Sequence, residues 1–156
     1  MQKQFLRRIF VLTSLSLLPL SASAQTKQDM VPIQKFIASH PNTLKDPPSI
    51  QYLSLRCSGL YMSLIKMFSG ADDPSIKSTV KDMEARSHRY FQIALQIEER
   101  LTKKSLDERT KSQQSQLFLI ASSYIERINQ TRARTGNIWT DTLIKEDKEF
   151  CDKHNL

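Results

Sequence analysis

Cys57 and Cys151 are the two residues of this 156-residue chain with the most definite chemistry open to them. Two thiols without C-x-x-C spacing do not make a dithiol redox motif. Zinc would need further Cys or His at fixed spacing, and there is none. In an oxidising compartment the pair has one intramolecular bond to form, a structural disulfide. Closing a loop of about 95 residues would stabilise the fold by about 4 to 5 kcal/mol in the chain-entropy account.

The other candidate chemistries fail on spacing. A di-iron bundle needs Glu-x-x-His on two facing helices plus two more glutamates. Here Glu84 and His88 stand four residues apart, and the remaining histidines, His40 and His154, fall outside the long helices. Cys151-Asp152-Lys153-His154 lacks the first cysteine of the haem-attachment motif C-x-x-C-H. Met62, Met67 and Met83 sit beside apolar positions, as core methionines do. Hydrolysis would need a nucleophile beside a base. There is no G-x-S-x-G elbow, and Ser63-Leu-Ile-Lys66 has no partner motifs. Asp72-Asp73 and Glu98-Glu99 fall at a helix start and on a solvated face, where carboxylates cap or solvate. Three glycines, at 59, 70 and 136, cannot build a phosphate-cradling loop. No cofactor, no metal and no catalytic activity are expected.

Two groups of side chains are candidates for recognition. Arg127, Arg132 and Arg134 cluster near Trp139, and Arg and Trp are enriched among residues that anchor partners. Arg86, His88, Arg89, Tyr90 and Phe91 are the second group; consecutive aromatics on a helix cannot both face one core spot. Asn129-Gln130-Thr131 fits a glycosylation sequon but falls inside a predicted helix.

The elements that must position these residues are helices. Residues 1 to 24 read as a cleavable signal peptide: Lys3, Arg7 and Arg8, then an apolar run from Ile9 to Leu18, then Ala22-Ser23-Ala24. The apolar run is too short to cross a bilayer. No membrane span is expected after cleavage, and the compartment is periplasmic or secreted. The whole chain carries a net charge of +7; the 20 bases and 16 acids beyond residue 24 leave +4 with both signs interspersed. That is an ordinary solvated surface, so nucleic acid is not the expected partner.

Residues 25–48, broken by Pro41, Pro47 and Pro48, read as an irregular N-terminal arm with a short helix from about 30 to 39. The spacing of Ile50, Leu53, Cys57, Leu60, Tyr61, Leu64 and Phe68 predicts a helix over 49–69. A second starts at Asp72 or Asp73 with Pro74 in its first turn and runs to about 104. Ser105-Leu-Asp-Glu108 is a capping box opening a third, which stops near Gly136, and a fourth covers 138–153. Short connections make residues 49–156 an all-α, up-down-up-down four-helix bundle. Its first and fourth helices are tied by Cys57–Cys151. Stepping along that antiparallel pair sets Tyr61 opposite Asp147 in a hydrogen bond. It also sets Leu64 against Leu143 or Ile144 and Phe68 against Trp139.

These readings point to an exported protein-binding module of the adaptor, inhibitor, immunity or chaperone kind, with another protein as its partner. The alternative is a carrier that holds a small apolar or haem-like ligand between helices.

Overall fold

The computed structural model describes residues 30–154 and 156. The signal peptide expected over residues 1–24 and the start of the arm lie outside the described residues. Those described are all helical: α1 (Ile33–Ser39), α2 (Pro47–Phe68), α3 (Pro74–Leu101), α4 (Leu106–Thr135), a 3-10 turn (Ile138–Thr140) and α5 (Thr142–Lys153). None of them forms a strand.

Local chemistry sets each boundary. Asp46 accepts the Ser49 N–H at 3.0 Å and opens α2 two residues before the expected start. Pro47 and Pro48 therefore belong to the helix and not to the arm. In the first turn of a helix a missing N–H loses nothing. Asp73 accepts the Ser75 N–H at 2.7 Å and caps α3. That helix ends at Leu101, leaving Lys103 and Lys104 beyond it. Ser105 and Glu108 close the capping box of α4 from both sides. Gly136, at φ +73°, ends it in the left-handed region that glycine enters without strain. The expected last helix is divided. Asp141 accepts the Ile144 N–H and starts α5 afresh, so Ile138–Thr140 remains a separate turn.

α2 is the central element. Residues 53–61 are all buried, two and a half turns with no outward face. A helix of a simple four-helix square keeps one face in water, so α2 departs from that expectation. Its small residues make the difference. Ser58 and Ser87 exchange hydrogen bonds, each hydroxyl donating to the other's carbonyl at 2.9 and 3.1 Å, which locks α3 against α2. On the other side a Cβ added to Gly59 would lie 2.8 Å from Ile120 Cγ2 and 3.2 Å from the Ala121 nitrogen. The Ser63 hydroxyl bridges Gly59 O and Ala121 O at 2.7 and 2.9 Å. α3 runs antiparallel to α2, with Gln51 reaching Glu98 and Ser58 reaching Ser87. α5 runs antiparallel to α4, with Tyr124 meeting Asp147 and Arg127 meeting Asp141.

Cys57 of α2 and Cys151 of α5 form the expected disulfide, with Cα atoms 5.5 Å apart, and both are buried. The arm lies against the domain: Ile33 of α1 is fully buried in the core that contains the disulfide.

Candidate functional site

The expected Tyr61–Asp147 bond does not form. Tyr61 donates instead to Asp152 Oδ1 at 2.7 Å. Contacts from α2 to α5 run Arg56 to Asp147, Cys57 to Cys151, Tyr61 to Asp152, so the residue numbers rise together. Turn-by-turn antiparallel stepping gives the opposite order. Both oxygens of Asp147 are already taken, Oδ1 by the Ile33 N–H and Oδ2 by Arg56 and Tyr124, which leaves Tyr61 to Asp152. Leu64, Leu143 and Ile144 do share the core. The Phe68–Trp139 pairing is not supported: Phe68 lines a hollow with Val80 and Lys81 of α3, and Trp139 lines one with residues of α5.

Asp147 is held by a buried polar network that the sequence reading missed. Arg56, Tyr124 and Asp147 are all fully buried. Arg56 Nη2 and the Tyr124 hydroxyl both donate to Asp147 Oδ2. Oδ1 accepts the Ile33 N–H at 2.7 Å. Arg56 Nη1 donates to the Val31 carbonyl at 2.8 Å, and its Nε to the Tyr124 oxygen at 3.3 Å. The guanidinium lies 5.8 Å from the centre of the Tyr52 ring. Four parts of the chain thus converge on one ion pair: α2, α4, α5 and the segment entering α1.

Burial opposes the charge on Arg56, yet Tyr124 and Asp147 hold its pKa above the ordinary arginine value. Burial, reinforced by Asp147, pushes the Tyr124 phenol well up. Burial raises the Asp147 carboxyl too, and Arg56, Tyr124 and the Ile33 N–H offset part of that rise. The network keeps a proton on Arg56 and on Tyr124 near neutrality, while its carboxyl, Asp147, is raised above the usual carboxylate value. It is a good staple. A signal for it was present: Arg56 falls inside the apolar stripe, three residues after Leu53 and one before Cys57. A cation there must find a buried acid.

A second polar group surrounds Asp152. Tyr61 and Lys148 donate to it, the latter at 2.6 Å, and Arg86 lies 3.9 Å away. Burial works to raise the Asp152 carboxyl, but Lys148 and Tyr61 bring it below the usual carboxylate value. Burial raises Tyr61 and Tyr90, whose rings stack 6.2 Å apart. The Tyr90 hydroxyl points to the Cys151 and His154 carbonyls, closing the end of α5.

The arginines and Trp139 singled out in the sequence do not form one site. Arg127 donates through Nε to both oxygens of Asp141, at 2.8 and 2.7 Å. Asp141 is the buried cap of α5, and a buried carboxylate needs a cation. Arg132 and Arg134 are exposed in the last turn of α4. Trp139 is partly exposed and lines a hollow of about 370 Å³ with Lys145, Lys148, Glu149 and Asp152, without any of the three arginines. In the second recognition group Tyr90 is buried and Phe91 half-buried, which divides the aromatic pair between core and flank. Among the described residues no three His, Cys, Asp or Glu side chains stand together as metal ligands. No helix among them is long and apolar enough to cross a membrane.

The outer face of α4 has the most exposed apolar side chains. Phe118 is 70% exposed and Leu119 beside it 54%. A further hollow, of about 290 Å³, lies over the buried network, lined by Met30, Val31, Phe36, Pro48, Ser49, Tyr52 and Arg56.

No protein family matches the chain, and neither does any curated protein or solved structure.

Proposed function

We propose that this protein is an exported protein-binding module that acts through the outer face of α4 and performs no catalytic step. The observation that carries the reading is the adjacent exposure of Phe118 and Leu119 at 70% and 54%. An aromatic ring left that open on a rigid helix is the kind of anchor that partner proteins bury. The frame behind it suits the task. α2 is enclosed, the disulfide fixes α5, and the buried ion pair staples the N-terminal segment, so α4 is presented on a stiff support. In this reading α2, α3, α4 and α5 alternate in direction as a four-helix bundle with its first helix drawn inward. The leader-like residues 1–24 send the chain to the periplasm or outside the cell, where the disulfide forms.

The competing reading is a carrier of a small apolar or haem-like ligand. Its place would be the open hollow beside Tyr52, whose volume of about 290 Å³ lies at the lower end of the roughly 300 to 1,000 Å³ of ligand pockets.

A photo-cross-linking residue at position 118, expressed in the native host, tests the proposal, with position 81 on α3 as the control. A defined protein adduct at 118 and none at 81 is the expected result. Labelling that is equal at both positions would overturn the reading. Native mass spectrometry of the exported protein decides the competitor, which requires a retained non-peptide mass.

A further inference from the structure

Resting on the reading of α4 as a binding face, we infer that the partner there is a second copy of this chain, docked antiparallel about a two-fold axis.

The charge pattern of α4 favours a copy of the same helix. Between Lys111 and Glu126 the helix has no charged residue over 112–125, in a chain where a quarter of all residues are charged. Gln114, Ser115, Gln116, Phe118 and Leu119 of this stretch are exposed. Interface cores are depleted of charge and enriched in aromatics, whereas solvated helix faces are not.

The midpoint of the charge-free stretch falls between Phe118 and Leu119, its two most exposed apolar residues. Its two ends have opposite signs. A two-fold axis through that midpoint sets Phe118 against Leu119 of the second copy and Lys111 against Glu126 of the second copy, twice over. This is the self-complementarity that a two-fold interface requires, where residue i meets j and j meets i. Ser115 comes opposite Ser122, small side chains that let two helices approach closely. Asp107 comes opposite Gln130 and Glu108 opposite Asn129, so no like charges face each other on the outer face. Lys111 already pairs with Asp107 at 3.1 Å, both ends well exposed, and Glu126 accepts from Gln130. Such surface partners exchange at little cost. Residues 107–130 span about 36 Å of helix, and a shallow crossing of about 20° keeps two such helices in contact along much of it.

Sedimentation equilibrium of the purified protein reads the outcome, with four variants. The native chain is expected to show a two-fold mass that dissociates on dilution. Phe118→Asp is expected to be monomeric, with the melting curve that the native chain has when diluted until it dissociates, because the side chain contributes little to its own core. Lys111→Glu and Glu126→Lys should each weaken the dimer about tenfold at low salt, since each reversal spoils two symmetric contacts. The double variant Lys111→Glu/Glu126→Lys should recover to within about threefold of the native chain. A monomer up to millimolar concentration overturns the inference, and so does a double variant no tighter than the singles. The cross-linker at position 118 separates this failure from that of the binding-face reading. An adduct with a different protein, beside a monomeric chain, removes self-association and leaves the face standing. No adduct of either kind removes both.

Discussion

The buried Arg56–Asp147 pair sets up a stability experiment whose outcome can be worked out beforehand. Asp147 accepts on both oxygens: Ile33 N–H on Oδ1, Arg56 and Tyr124 on Oδ2. Asp147→Asn keeps the shape but has one acceptor oxygen, so its NH2 group must face a donor whichever way the amide turns. It also leaves the Arg56 charge buried without a counter-ion. Breaking one side of a buried pair costs about 3 to 5 kcal/mol. Arg56→Met leaves the carboxylate in the same position, at a similar cost. Together the singles sum to about 6 to 10 kcal/mol, comparable with the whole stability of a domain of this size.

The double variant Arg56→Met/Asp147→Leu removes both charges at once. What it leaves behind is the Tyr124 hydroxyl, the Ile33 N–H and the Val31 carbonyl. Val31 is already about half exposed, so the strap entering α1 can lift and rehydrate. We expect the double to cost about 4 to 6 kcal/mol, a coupling of about 2 to 4 kcal/mol between the sites. Urea unfolding of the oxidised protein measures all three at constant m. Hydrogen exchange at the Ile33 amide adds a local readout, expected to lose protection in each variant. Additive singles, or a single that costs under about 1 kcal/mol, would refute the network as a staple.

Three further outcomes follow from the packing and the titrating groups. Gly59→Ala should destabilise by about 1 to 2 kcal/mol in thermal or urea unfolding, although alanine is the better helix former by about 1 kcal/mol. The added Cβ meets Ile120 at 2.8 Å, and the overpacking outweighs propensity. Reducing Cys57–Cys151 should remove about 4 to 5 kcal/mol and lower the melting temperature by roughly 15 °C in calorimetry with and without reductant; a shift under about 5 °C would show that the tie is redundant. The acid limb comes from Glu98, Asp141 and Asp152. Gln51 and Lys104 hold Glu98 below its usual value; Arg127 does so for Asp141 against the burial that opposes it. Their folded pKa values lie below the unfolded ones, so the stability they add is complete above about pH 5 and lost as pH falls through the folded values. Asp141→Asn should flatten melting temperature against pH between about 5 and 2, and an unchanged slope counts against the Arg127 pairing.

How far the sequence could be read depended on the range of the interaction. Caps were legible because they are local: Asp73 before Pro74, Ser105 with Glu108, and Gly136 each act within a turn. The disulfide was legible because two cysteines leave one pairing. What faces what was not. Periodicity gives the inward face of one helix and says nothing about how far round a neighbour sits or how far a long side chain reaches. The Tyr61–Asp147 pairing treated α2 and α5 as two straight antiparallel rods, and the contacts between them run in the other order, with Asp147 taken by Arg56, Tyr124 and Ile33. Arg56 itself could have been found. From Pro47 to Ile65 it is the sole charged residue. Nineteen residues with one charge describe a helix enclosed on all sides, and the one charge then requires a buried partner such as Asp147.

The same signal occurs twice in the chain and has two different outcomes. The charge-poor stretch of α2 is covered by α3, α4 and α5. That of α4, residues 112–125, is covered by α2 along Leu117, Ala121 and Tyr124, while Phe118 and Leu119 stay in water. Both stretches lack charge almost entirely, and the fold covers only the one in α2 on every side, over residues 53–61. On the proposed reading, a second copy of the chain supplies the cover for α4. Its ends, Lys111 and Glu126, carry the charges with which an antiparallel copy of the same helix would pair. A protein whose outer face is closed by itself should lose that closure to one aspartate at position 118 without losing its fold, whereas a face that is merely surface should lose nothing.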